Sequence, residues 1–480
     1  MNQIQNQPNK GGEAIASGGF GCVFSPALKC KNKKRKTNFI SKLMTKKYAL
    51  QEYKEIKNVN KKLNSIPNYE NYFLVYDFNL CEPDKLSNSD LKNFGKKCTA
   101  LPKNDITQKN INEKLEQIFA LNMPYGGLPI DDYLYKNISY PQIIDLNDSL
   151  IELLNRGILP MNQKHIYHGD IKDSNILVDS TQRLPSSLRT RLIDWGLTTE
   201  YIPFKEEKFP DAWKNRPLQY NVPFSVILFT DDFVEKYTKF VKEEDNDPQD
   251  VTKLKPFIMD YIYFWLKTRG NGHYKYINHI MYMMFSKDMN SIEDEKTKTR
   301  IIESDFTLFY LSNYLIEILV HFTHFRENET LNLRVYLDNV YIHLLDVYGW
   351  ITCYLPIMEI LFENYEKLNE NELLLFDQLK NIFLKYLYEP QIKPINIKSL
   401  SQDFKDLDKM FDLLSEKKKK SALSLKSSLG NQPKVTGLTV NILKSTKKKR
   451  LIIKKNRTKR NSYLLFADLK KEKKSNKRKK

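Results

Sequence analysis

The chain has 480 residues, 41% of them apolar and 12% aromatic. At about 100–200 residues per domain this allows roughly two to four units with sizeable cores, and it excludes a mostly disordered chain. The formal net charge is +19, but 24 Lys and Arg against 2 Asp and Glu fall between Lys417 and Lys480, so residues 1–416 carry a net −3. A near-neutral globular body therefore carries a cationic tail.

The start, MNQIQNQPNK, has no apolar stretch of the secretory kind, and residues 1–12 are expected to be a flexible lead. No run of 18 apolar residues occurs. The best candidate, Leu308–Phe325, is broken by Ser312, Asn313, Glu317 and His321, so it is expected to be a buried helix and no membrane contact is expected. The five Cys (Cys22, Cys30, Cys81, Cys98, Cys353) show no CxxC pair and no His at ligand spacing. The expectation is neither a disulfide framework nor a zinc site, and a reducing, intracellular setting, cytoplasmic or nuclear.

In chain order, Glu13–Ala16 and Cys22–Phe24 read as strands around the Gly cluster Ala16-Ser17-Gly18-Gly19-Phe20-Gly21-Cys22-Val23-Phe24. Glycines there let backbone N–H groups approach a polyphosphate without Cβ clashes. No Lys-Ser/Thr pair follows at the spacing of a Walker-type loop. Beyond the basic patch Lys29–Lys36, Ile40-Ser41-Lys42 lies in the next strand, and Lys46–Leu63 reads as a helix from Leu50, Tyr53, Ile56, Val59 and Leu63. Glu52 or Glu55 on that helix is placed to hold the Lys42 ammonium; spacing along the chain slightly favours Glu55. Tyr72–Phe78 is a strand candidate, residues 80–110 a polar loop insertion, and Gln117–Met123 a strand closed by Pro124 and Gly126-Gly127. Ile144–Arg156 is a helix, Ile176–Val178 and Leu192–Ile193 bracket a turn, and Asp250–Tyr388 is mostly helical and aromatic.

The strongest signal is His168-Gly169-Asp170-Ile171-Lys172-Asp173-Ser174-Asn175-Ile176-Leu177-Val178. Asp170 can accept or orient a hydroxyl proton, Lys172 can neutralise charge on a transferred phosphoryl group, and Asn175 offers a neutral oxygen to Mg²⁺. Leu192-Ile193-Asp194-Trp195-Gly196 adds a carboxylate at a strand end. Gly270-Asn271-Gly272-His273 reads as a turn between helices rather than a phosphate loop.

This ordered set resembles the protein kinase superfamily in its Gly-rich loop, strand Lys, helix Glu, H-x-D-x-K-x-x-N loop and D-x-G element. Residues 13–200 match in detail, and the helical region to about 390 agrees in character. The resemblance implies an α+β, bilobal protein-kinase-like fold: a small β-rich N-lobe over 13–125, a larger helical C-lobe over 126–395, and a linker with a disordered Lys-rich tail over 396–480. It implies that Gly18, Gly19 and Gly21 cover the ATP phosphates, with Ala16, Phe20 and Val23 also in the nucleotide site. Lys42 pairs with the α/β-phosphates and with Glu55 or Glu52. Met123 and Tyr125 lie in a hinge that contacts adenine. Asp170 is the catalytic base, Lys172 a phosphate-stabilising cation, and Asn175 and Asp194 ligate Mg²⁺. His168 is structural.

The chain departs from the family pattern at Ala16, at Gly169 in place of Arg, and at Trp195 in place of Phe. Asn215-Arg216-Pro217-Leu218-Gln219-Tyr220-Asn221-Val222-Pro223-Phe224-Ser225 stands where Ala-Pro-Glu is usual. This segment and the Ile66-Pro67 to Leu74 stretch are similar to divergent kinases of large DNA viruses. The expected activity is Mg²⁺- and ATP-dependent phosphorylation of protein Ser/Thr hydroxyls by a monomer. His-Gly-Asp also occurs in small-molecule phosphotransferases resembling aminoglycoside or choline kinases, and Lys172 favours a protein substrate over those. A pseudokinase scaffold acting through its tail is the third reading. The tail is expected to bind nucleic acid or acidic proteins nonspecifically, to act as a nuclear address, or to be a solvated, solubilising segment.

Overall fold

The computed structural model describes residues 12–428 apart from 37, 137–138, 181–187, 207, 244–248 and 325–329, with side chains of the last helix described to Ser415. Residues 1–11 of the lead expected over 1–12, and the basic tail from 429 onward, lie outside the described residues; Gly12 is buried and donates its N–H to Asp90 Oδ1 at 2.7 Å, so it belongs to the fold and not to the lead. The chain divides into two units, Met1–Lys417 and Lys418–Lys480; every contact below belongs to the first. The architecture is α+β, with a small antiparallel sheet followed by a large helical region.

Five strands, β1 (Glu13–Ser17), β2 (Gly21–Ser25), β3 (Phe39–Thr45), β4 (Asn79–Cys81) and β5 (Ile118–Pro124), form one antiparallel sheet in the order β1-β2-β3-β5-β4. Its side chains divide by period-two alternation. Ala14, Cys22, Phe24, Leu43, Ile118 and Ala120 form a core on one face with Leu86, Phe94, Cys98, Leu101, Ile106 and Ile111. Residues 82–115 are thus a cap on the sheet with its own short helices, rather than the polar loop expected. An apolar outer face must be covered, and this segment covers it.

Two disulfides are present, Cys22–Cys98 between β2 and the cap and Cys30–Cys81 between the approach to β3 and β4, with Cα–Cα separations of 5.2 and 5.8 Å. This corrects the expectation of free thiols and removes the cysteine argument for a reducing compartment. The paired residues are 76 and 51 positions apart in sequence, so only tertiary folding brings them together: the cap over the sheet for Cys22–Cys98, and the pairing of β4 with β5 for Cys30–Cys81.

Helix α1 spans Lys46–Leu63, as expected. Its inward stripe is Ala49, Ile56, Val59 and Leu63, with Leu50 exposed, so the helix is rotated from the phase that Leu50 and Tyr53 suggested. Tyr72–Phe78 is not a strand. Tyr69–Asn71 is a short 3₁₀ turn, and Phe73 then makes an isolated parallel bridge to Leu192. The expected helix at 144–156 begins earlier, at Tyr140, and continues past Glu152 through a wide turn to Gln163.

Short strands carry the central loops. β6 (Leu128–Pro129), β8 (Ile176–Asp179) and β9 (Arg189–Leu192) form one sheet, and β7 (Ile166–Tyr167) pairs with β10 (Thr199–Glu200). Residues 168–175 run between β7 and β8, and residues 193–198 between β9 and β10. Leu308–Phe322 is a buried helix, as expected. The stretch Leu333–Glu363 is apolar enough in composition to cross a membrane, but 89% of that window is buried inside the protein.

The body extends beyond the boundary expected at 395. The last helix, Ile397–Ser428, persists through the Lys417–Lys420 cluster where an extended chain was expected. Leu400, Phe404, Leu407, Phe411 and Leu414 are all buried at spacings of four and three. Phe404 packs against Trp350 and Tyr354 at 4.8 and 4.2 Å. Residues 396–415 are therefore part of the core, not a linker.

Candidate active site

The cross-strand register aligns Ala16 with Val23, Val23 with Lys42, and Lys42 with Leu121, one row on the face opposite the cap. Gly18–Gly21 closes the β1–β2 hairpin, with Gly18 N–H donating to Gly21 O at 2.9 Å. A Cβ on Gly19 would meet nothing within 4 Å, whereas one on Gly21 would sit 2.3 Å from Met44 Cγ and 2.9 Å from Leu43 O. Gly21 is thus required by packing, while Gly18 and Gly19 leave open space. Phe20 is exposed and stacks on Tyr48 at 4.5 Å.

Lys42 Nζ lies 2.7 Å from both carboxylate oxygens of Glu52. Glu52 falls on the inward stripe Ala49-Glu52-Ile56-Val59-Leu63; Glu55, also half-buried, accepts from Gln51 Nε2 at 2.9 Å instead. The helix phase, not chain distance, selects the partner, so the slight preference for Glu55 is corrected. Burial raises the Glu52 pKa against the opposing pull of Lys42, and the nearby Asp194 raises it further. Asp194 therefore lies close enough to this ion pair to be felt by it.

The segment Met123–Gly127 leaves β5 and crosses β8. Met123 pairs with Ile40, and Tyr125 N–H donates to Asn38 O at 2.9 Å, so that donor is engaged within the protein. Gly127 has φ +106°, and a Cβ there would lie 2.0 Å from Val178 O, which only glycine permits.

Residues 168–175 are held from below by Asp346, which is 1% exposed. Its carboxylate accepts from His168 N–H at 2.9 Å, Gly169 N–H at 2.8 Å and Asn162 Nδ2 at 2.7 Å. His168 is fully buried; its Nδ1 accepts from Asp170 N–H, so its Nε2 carries the proton and donates to Ile193 O at 3.0 Å. Gly169 adopts φ +70°, a conformation that favours glycine over Arg. Its carbonyl accepts from the buried Arg216 Nη1 at 2.6 Å, and Trp265 Nε1 donates in turn to Arg216 O.

Asp170 is 9% exposed and fully engaged. Oδ2 accepts from Lys172 Nζ at 2.7 Å and Asn175 Nδ2 at 3.1 Å, while Oδ1 accepts from Asn221 Nδ2 at 2.9 Å. Burial opposes ionisation, but Lys172, the Asn221 amide and His168 together hold the carboxyl below its ordinary value. Asp170 is therefore a carboxylate at neutral pH. Burial, with Asp131 nearby, pushes the adjacent Asp173 up to about 6.

Asn175 uses its amide nitrogen on Asp170 O and Oδ2, so its amide oxygen is the atom that could face a cation. Asn175 O also accepts from Ile193 N–H at 3.0 Å, linking the two loops. Asp194 is exposed and left-handed, with φ +66°, while Trp195 turns inward against Phe73 and His168 at 5.7 and 5.0 Å. No group of three or more His, Cys, Asp or Glu suited to a metal occurs among the described residues. One amide oxygen and one carboxylate nevertheless form a donor set that suits Mg²⁺, which keeps waters and takes substrate phosphate oxygens.

Gly270–His273 is a turn between helices ending at Arg269 and starting at Gly272, as expected. His273 nonetheless feels Lys172 and Asp170, and burial lowers its pKa. Sequence reasoning missed Asn221, Arg216 and Asp346 as parts of the site. A lone Asp within the apolar run Ile342–Thr352 was the available signal for Asp346, because buried carboxylates are rare unless partnered. No family model matches the chain, and no curated protein matches it either.

Proposed function

We propose that the chain is an ATP-dependent protein kinase of bilobal arrangement that phosphorylates Ser/Thr hydroxyls of proteins. The observation that carries this reading is the convergence of two charged pairs with one carboxylate. Lys42 is held by Glu52, ionised Asp170 is held by Lys172, and Glu52 feels Asp194. All the residue types that phosphoryl transfer needs are retained, which favours an enzyme over a scaffold.

Asp170 accepts the proton of the substrate hydroxyl, with Asn221 fixing the orientation of its carboxylate. The Lys172 ammonium, 2.7 Å from Asp170 Oδ2, neutralises charge on the phosphoryl group in flight. Lys42 is aimed by Glu52 at the α/β-phosphates, and backbone N–H groups of Gly18–Gly21 cover them. Asn175 and Asp194 would hold Mg²⁺, which when bound neutralises the polyphosphate charge. The segment 215–225, largely buried, braces the Asp170 carboxylate through Asn221.

The test is transfer of label from ATP in Mg²⁺, with wild type and Asp170→Asn, offered a basic protein mixture and a panel of small alcohols. Label on protein that vanishes in Asp170→Asn supports the proposal. Label on small alcohols alone moves the chain to small-molecule kinases. Nucleotide binding without transfer makes it a scaffold.

A further inference from the structure

Both ends of the glycine loop are fastened to the same three residues of the cap. At one end, Ser17 Oγ accepts from the N–H groups of Thr99 and Ala100, each at 3.1 Å. At the other, Cys22, directly after Gly21, is bonded to Cys98. The Ser17 hydroxyl also lies 3.6 Å from Cys22 Sγ, so the two fastenings meet. Beyond this root the loop is loosely held: Gly18, Gly19 and Phe20 are exposed, and the main side-chain contact is Phe20 on Tyr48. The position of the loop is therefore set by the tripeptide Cys98-Thr99-Ala100.

We propose that Cys22–Cys98 is a redox-sensitive clasp on the root of the glycine loop. In the disulfide form the clasp holds the loop in its closed position over the row Ala16-Val23-Lys42. A dithiol opens it: the Cys22–Cys98 bond breaks, each sulfur gains a proton, and the dithiol is oxidised to its own disulfide. Thiol–disulfide exchange with an oxidised partner closes it again. Cys22 and Cys98 are 0% and 2% exposed, so the bond is reached only when the cap lifts from the sheet. Cys30–Cys81 joins the approach to β3 with β4, away from the loop, and acts as a staple rather than a clasp.

The nucleotide part of this proposal rests on the kinase reading; the clasp itself does not. The experiment uses full-length protein carrying Cys30→Ser and Cys81→Ser, so that Cys22–Cys98 is the bond under test. The protein is equilibrated in oxidised or reduced dithiol buffer. Alkylation with mass mapping, amide hydrogen exchange and Mg-ATP titration are then read on the same samples. Reduction is expected to speed exchange at residues 17–22 and 98–100 while the helix Ile342–Thr352 keeps its protection. The dissociation constant for Mg-ATP is expected to rise roughly tenfold, as when the binding-competent loop falls to a minor population.

Free thiols at Cys22 and Cys98 in the oxidised buffer overturn the clasp. So does equal exchange at 17–22 in both states. Loss of protection throughout the protein on reduction also overturns it, because the bond is then only a staple. If Ser17→Ala, which leaves both sulfurs intact, raises exchange at the same residues, the shared root is supported independently. Absence of Mg-ATP binding in both states sinks the kinase reading, and the exchange data still decide the clasp.

Discussion

Asn221 donates its amide to Asp170 Oδ1 at 2.9 Å and to Ile171 O at 3.2 Å, from a position 1% exposed, while its own Oδ1 is buried without a partner. One side chain from the 215–225 segment thus braces both the Asp170 carboxylate and the backbone that follows it. Removing it leaves Asp170 Oδ1 without its donor, so that the carboxylate is held through Oδ2 alone, and leaves the Ile171 carbonyl unsatisfied. A hydrogen bond to a charged group contributes about 1.5–3 kcal/mol, so Asn221→Ala should lower kcat by roughly 10- to 100-fold. Steady-state kinetics with a thermal melt provide the check: a fall in kcat larger than the fall in stability supports positioning, and an unchanged kcat refutes it.

Glu52→Gln and Glu55→Gln differ by one helical turn and should differ sharply in effect. Glu52→Gln removes the charge that holds Lys42, and turnover should fall at least tenfold. Glu55 bonds Gln51 on its own helix rather than Lys42, and its replacement should leave turnover within about twofold. Parallel ATP titrations of the two variants decide this, and equal effects would remove Glu52 from its assigned role.

Gly19→Ala and Gly21→Ala separate loop chemistry from loop packing. A Cβ at Gly21 collides with Met44 and the Leu43 carbonyl, so Gly21→Ala should lower the melting temperature. Overpacking of this kind typically costs about 1–3 kcal/mol. Gly19→Ala meets open space and should melt as wild type, while crowding the phosphates and raising KM for ATP. Equal melting temperatures for the two variants would contradict the packing account.

Asp173 gives a pH signature. Its folded pKa of about 6 lies above the ordinary carboxyl value near 4, so the folded protein binds the proton more tightly than the unfolded chain. That contribution to stability is present below the unfolded pKa and is lost as pH rises through the folded value. Relative to wild type, Asp173→Asn should therefore gain stability progressively between about pH 4 and 6, reaching up to about 3 kcal/mol, and stay level above. Denaturant melts across pH 4–8 measure the difference curve; a flat curve would place Asp173 in a water-like setting.

The order of the chemical groups was legible along the chain. Glycine cluster, Lys42, His168–Asn175 and Asp194 are local patterns, and the α1 boundaries and the β2, β3, β5 and β8 strands follow from local periodicity. Geometry between distant segments was not legible. Glu52 and Glu55 are equivalent until the helix phase against Leu121 and Met44 is known, because a few tens of degrees of rotation exchange them. Cys22 and Cys98 carry no spacing signal, since only the cap's need to bury Phe94, Leu101 and Ile111 against the sheet brings them together. Asp346, Arg216 and Asn221 converge on residues 168–171 from segments tens to nearly two hundred positions away. Buried polar partnerships of that kind arise from the demand that every desolvated donor and acceptor be satisfied, and that demand is met in space, not along the sequence.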